Sequence, residues 1–122
     1  MFMLWYSVIA MSDDLDAIAS NTISRSLLAA EQIQEEVAAL GARWSIDGED
    51  LKLRLQGKPM SKCGAAVAYA TALADEMDHH PKIVMEYPGT TLTIHTHDKK
   101  AITVIDLVYA ARLERWLREN GW

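Results

Sequence analysis

Cysteine, phenylalanine and proline are all scarce in this chain, with one, one and three residues among 122. The single thiol, Cys63, cannot close an internal disulfide, and one thiol cannot build a cysteine-based zinc site. A reducing, cytoplasmic compartment is the simplest setting for such a chain. Cys63 itself reads as a small apolar filler rather than a nucleophile. Positive charge is also in deficit: 12 Lys and Arg face 17 Asp and Glu, a net charge of -5. That balance argues against a nucleic-acid-binding surface, which needs a basic face. Long apolar runs are missing as well. The opening "MFMLWYSVIA" is far shorter than the roughly 20 residues that cross a bilayer, so no membrane partner is expected. No Lys or Arg precedes it and no small-x-small cleavage site follows, so a secretory signal fits poorly. Either Met11 is the native start with an extension before it, or this segment packs on the body or on a partner subunit.

The length and the ordinary mix of apolar and charged residues fit one globular domain with a modest core. Residues 13–26 are polar and small, which predicts an appendage outside that core. From Ala29 to Leu40, Ile33, Val37 and Leu40 recur at helical spacing, and Gly41 is a good stop. "RWSIDGEDLKLRLQG" then changes period. Trp44 and Ile46 alternate, "DG" turns the chain, and Leu51, Leu53 and Leu55 alternate with polar residues, which predicts a half-buried hairpin.

A second helix follows in "KPMSKCGAAVAYATALADEMDHH". Ser61 or a neighbour is the expected cap, Val67, Ala70, Leu73 or Ala74, and Met77 the buried stripe, and Pro81 the stop. "KIVMEY" and "TTLTIHTH" read as two strands around a Pro88–Gly89 turn. In the second, Leu92, Ile94 and Thr96 share one face, and Thr91, Thr93, His95 and His97 the other. Thr103 caps a last helix, roughly Val104 to Glu119. The order αββαββα predicts an α+β fold, a four-stranded antiparallel sheet with helices on one face.

All four histidines fall between positions 79 and 97. Three readings stand for them. Imidazole titrates near neutrality and suits acid–base catalysis, and the carbonyls at a helix C-terminus favour its charged form at His79 or His80. His95 and His97, two residues apart, could instead ligate a metal with Asp98 or Asp106. Half-buried, hydrogen-bonded histidines with no chemical task are the third. Asp106 has a structural alternative too, because Thr103 and Asp106 form a T-x-x-D helix start.

The spacing Asp75, His79-His80-Pro81, Tyr87, His97, Asp106 resembles the pterin-4a-carbinolamine dehydratase family, also called the dimerisation-cofactor family. The resemblance runs from about Leu27 to Leu117. It divides the chain into a dehydratase-like domain at 27–122 and an N-terminal extension at 1–26, disordered or packed on a partner. It implies removal of water from a 4a-hydroxytetrahydropterin to give the quinonoid dihydropterin. No electron moves and no carbonyl needs polarising in that reaction, so it implies no redox cofactor and no metal. Carried over residue by residue, His79 and His97 become the acid–base pair. His80 bonds the substrate and assists, Asp106 orients His97, and Asp75 supports the cleft rim. Asp75, His80, Pro81, Tyr87 and Thr96 are the implied pterin-binding residues.

A homodimer or homotetramer is implied, with Trp44, Leu51, Leu53 and Leu55 as an interface. The family's other role is the alternative: a non-catalytic binding protein, either a transcriptional dimerisation cofactor or a carboxylase assembly factor. The chain departs from the family in four places. "LRLQGKPMS" lacks the usual phenylalanines, Ala101-Ile102 replaces Gly-Leu, Thr90 stands where a valine is expected, and His95 is added. The lost aromatics bear on substrate shape more than on the acid–base groups. His95 either enlarges the polar site or faces solvent, the second being preferred here.

Overall fold

The computed structural model, which describes residues 14–122, runs α1 (Ala30–Leu40), β1 (Trp44–Asp47), β2 (Asp50–Gln56), α2 (Met60–Met77), β3 (Lys82–Met85), β4 (Gly89–Ile94) and α3 (Val104–Glu119). It has the α+β class and the αββαββα order expected. The opening apolar segment lies outside the described residues. The strands form one sheet in the order β1-β2-β4-β3, antiparallel throughout. Gly48 makes the first hairpin turn with φ +62°, a left-handed value that glycine adopts without a Cβ clash.

Alternation along the strands decides which face is buried. Leu51, Leu53, Leu55, Leu92 and Ile94 point into the core, and Lys52, Arg54, Thr91 and Thr93 point away from it. Leu53 sits opposite both Trp44 and Leu92, so the row continues across three strands. This corrects one expectation. Trp44, Leu51, Leu53 and Leu55 are core residues, not an interface, because the helices already cover their face.

α2 ends differently from the sequence expectation. Asp78 adopts a left-handed conformation, φ 49° and ψ 47°, and its N–H bonds back to the Ala74 and Asp75 carbonyls. The His79 N–H also reaches the Ala74 carbonyl, at 3.0 Å, which closes the helix before Pro81 can act. Ser61 lies inside the first turn, and Pro59 occupies the cap position with no side-chain bond. Pro81 instead starts the run into β3.

α3 begins as expected, on a capping box made by Thr103 and Asp106. Its first three turns are buried on nearly every side, and residues 14–27 explain why. Residues 14–19 are helical, and Leu15, Ile18 and Ala19 join the core. The Ala19 carbonyl accepts from Arg112 Nε at 3.0 Å, and the Ser24 carbonyl accepts from the Ile105 N–H at 2.7 Å. Leu27 pairs with Thr103 as an isolated bridge. Residues 14–19, and the backbone at Ser24 and Ser26, are therefore packed on the domain, not appended outside it. Among the described residues no helix is long and apolar enough to cross a membrane.

Candidate active site

β4 ends at Ile94, three residues earlier than expected, yet its alternation continues. Thr96 bridges back to Ala101, with its N–H 2.9 Å from that carbonyl, and the chain turns over residues 96–99. His95 and His97 therefore emerge on the same side beyond the strand end, and Thr96 turns inward and is fully buried. Their rings meet edge to face, 4.4 Å between centroids. The other two histidines arrive from the end of α2. His79, 7 % exposed, turns in towards α3, and His80 turns out to the opposite side.

On that outer side a cavity of about 310 Å³ is lined by Asp50, His80, Pro81, Lys82, Thr93, Ile94, His95 and His97. Its volume sits at the small end of small-molecule clefts, which begin near about 300 Å³. Three imidazoles line it, the side-chain type suited to proton transfer, with the Lys82 amine beside them.

His79 stands behind this wall. Its Nε2 is 2.5 Å from Oδ1 of Asp106, which is itself fully buried. Oδ2 of Asp106 accepts from Thr96 Oγ1 and from the Thr103 N–H, both at 2.8 Å, and the Thr103 hydroxyl lies 2.7 Å from Thr96 Oγ1. As a carboxylate Asp106 can only accept, so Nε2 carries the shared proton and Nδ1 is the ring nitrogen left over. The network ties the end of α2, the end of β4 and the start of α3 into one unit. His80 is paired more loosely, its Nε2 3.1 Å from Oδ1 of Asp75, with both side chains exposed. His95 Nδ1 lies 2.7 Å from Oδ1 of Asp50.

The implied site residues thus divide into groups. His80, Pro81 and His97 share the cavity, with Asp75 at its rim through His80. His79, Asp106 and Thr96 form the buried support, and Asp106 holds His79, not His97 as expected, because α3 packs its first turn beneath the end of α2. Tyr87 is 76 % exposed on the β3–β4 turn, at the opposite end of the hairpin from His97, and does not line the cavity of its own chain. His95 does not face solvent as preferred above; it is half-buried and lines the cavity. Asp50 is a cavity residue that the sequence alone does not single out. Its only sequence signal was its place after the "DG" turn, beside a strand end whose partner was unknown. Among the described residues no cluster of three His, Cys, Asp or Glu has a metal-holding arrangement.

A larger cavity, about 560 Å³, lies by Arg43, Arg54 and Arg118. Two of these arginines serve the fold. Buried Glu114 accepts from Arg43 Nε and Arg118 Nε at 2.7 Å each, and from Trp44 Nε1 at 2.9 Å.

Comparison with known proteins finds a family and several similar chains. The family model described as pterin 4 alpha carbinolamine dehydratase matches residues 26–116. A protein of Mesorhizobium japonicum, provisionally named a pterin-4-alpha-carbinolamine dehydratase, is 28 % identical over 96 residues, covering 77 % of this chain and 97 % of that one. A protein of Streptomyces avermitilis with the same provisional name is 28 % identical over 88 residues, 71 % of this chain and 86 % of its own. The crystal structure of a transcriptional coactivator/pterin dehydratase from Brucella melitensis superposes with a TM-score of 0.66. It is 26 % identical and covers 74 % of this chain and 97 % of its own.

Proposed function

The chain belongs to the pterin 4 alpha carbinolamine dehydratase family, and from that premise we propose that its cavity dehydrates a 4a-hydroxytetrahydropterin to the quinonoid dihydropterin. The observation that carries this reading is the convergence of His80 and His97, from two separate elements, on one cavity of bicyclic-ring size. Loss of water from C4a needs a proton on the hydroxyl as the C–O bond breaks. N5 gives up its proton as its electron pair forms the C=N bond. One imidazolium supplies the first proton and one neutral imidazole takes the second, so the atoms balance with water as the only other product.

His80 and His97 open on the cavity and are the residues assigned to these transfers. His79 was expected in the direct role; its burial and its bond to Asp106 make it the group that holds the α2 end, and hence His80, in place. Pro81 shapes the wall, Asp75 steadies His80, and Thr96 acts through Asp106. A cytoplasmic homodimer or homotetramer goes with this reading. Its oligomeric part is supported by β3, an edge strand with Val84 and Met85 exposed, open to pairing with a second copy.

The test is the ultraviolet assay of carbinolamine dehydration. Wild type should accelerate the reaction, and His97→Ala and His80→Ala should each lose about 10²- to 10⁴-fold in kcat. A wild type no faster than buffer overturns the proposal. A second reading, a protein-binding role without catalysis, is favoured by one observation: the Brucella melitensis neighbour is described as both coactivator and dehydratase. That reading requires a folded, inactive wild type.

A further inference from the structure

Three of the four imidazoles have an aspartate partner, and the three pairs differ in burial. His79 with Asp106 is sealed in the core, His80 with Asp75 is open to water, and His95 with Asp50 lies between, at 27 % and 36 % side-chain exposure. His97 has no hydrogen-bonding partner for its ring among the described residues, although the proposed chemistry needs that ring held still. Its ring meets that of His95 edge to face, at 4.4 Å between centroids and 69° between planes. His95 in turn is fixed at 2.7 Å by Asp50, from the start of β2, which pairs with β4.

We propose that Asp50 and His95 form a positioning relay that sets the ring of His97 in the cavity. This rests on the dehydratase reading for its effect on rate, and on geometry alone for its effect on the ring. Asp50 accepts from Nδ1–H of His95, which fixes both the tautomer and the rotation of that ring. The fixed ring closes one side of the space His97 could sweep. A flexible imidazole past a strand end is thereby confined without a hydrogen bond that would occupy one of its own nitrogens. His97 keeps both nitrogens for proton exchange.

Two variants of the full chain test the relay, Asp50→Asn and His95→Phe, the second lying away from the hairpin turn in case the first fails to fold. Ring signals of His97 in the ¹⁵N-histidine-labelled protein should move in both, and kcat should fall about 10- to 100-fold while KM changes far less, as expected for a misplaced catalytic group. Unmoved His97 signals, or a change confined to KM, overturn the relay and leave His95 as a piece of wall. If wild type proves inactive but the ring signals still move, the dehydratase reading fails and the relay stands.

Discussion

Nε2 of His79 and Oδ1 of Asp106 lie 2.5 Å apart, across 27 residues of chain. The contact joins the end of α2 to the first turn of α3, and the same carboxylate holds Thr96 and the Thr103 N–H. A double-mutant cycle with His79→Ala and Asp106→Ala should give a coupling of about 1–3 kcal/mol in urea unfolding, since both groups are buried and share a network. Additive effects would show that the two stabilise the fold independently.

Thr90 carries the one buried side-chain polar atom without a hydrogen-bond partner among the described residues. It faces Leu53, Val67, Ala70 and Ile83, an apolar setting in which a hydroxyl loses water and gains nothing. Thr90→Val should raise stability by about 1 kcal/mol, read as a higher urea midpoint at unchanged slope. An unchanged or lower midpoint would mean that the hydroxyl is satisfied.

Leu15 and Ile18 are 4 % and 6 % exposed in the core beneath α3. Leu15→Ala should therefore destabilise by about 2–5 kcal/mol, a core-sized effect, and Ile18→Ala by a similar amount. A change within about 0.5 kcal/mol, typical of surface positions, would place residues 14–19 outside the cooperative unit.

The Tyr109 hydroxyl donates to the Ala70 carbonyl at 2.7 Å. Burial pushes its pKa well above the ordinary value of 10.0, with Tyr69 adding to the shift. The folded state keeps this phenol protonated where the unfolded chain releases the proton. Its contribution is therefore whole below pH 10.0 and is lost as pH rises from there towards the raised folded value. Tyr109→Phe should cost about 1 kcal/mol at neutral pH for the missing bond. It should also flatten the decline in unfolding free energy as pH rises above 10.0. Equal slopes in the two proteins would count against a shifted Tyr109.

Much of the fold was legible because its signals are local. Period two in "DLKLRLQ", period 3.6 in "EQIQEEVAAL" and the Thr103–Asp106 box each depend on neighbours within one turn or one strand. The elements they specify appear within a residue or two of expectation. Two of the three misreadings share one cause, a packing surface that no local signal reveals. The α2 end was assigned to Pro81, although Asp78 could turn left-handed three residues earlier. The leucines of β2 were assigned to an interface because nothing local says that helices cover them. Residues 14–26 looked too polar to pack, yet three small or apolar side chains sufficed once α3 offered a surface.

The amino-acid order alone determined which elements form, which strand faces are apolar, and that His80 and His97 belong to a recognisable spacing. These follow from side-chain chemistry repeated at fixed intervals along the chain. Only the tertiary structure decided which aspartate meets which histidine. It gave Asp106 to His79, Asp75 to His80 and Asp50 to His95, and left His97 against the His95 ring in place of a carboxylate. Two of those pairings cross between elements, and a partner across a sheet or a helix interface is set by how whole faces pack, which no local interval encodes.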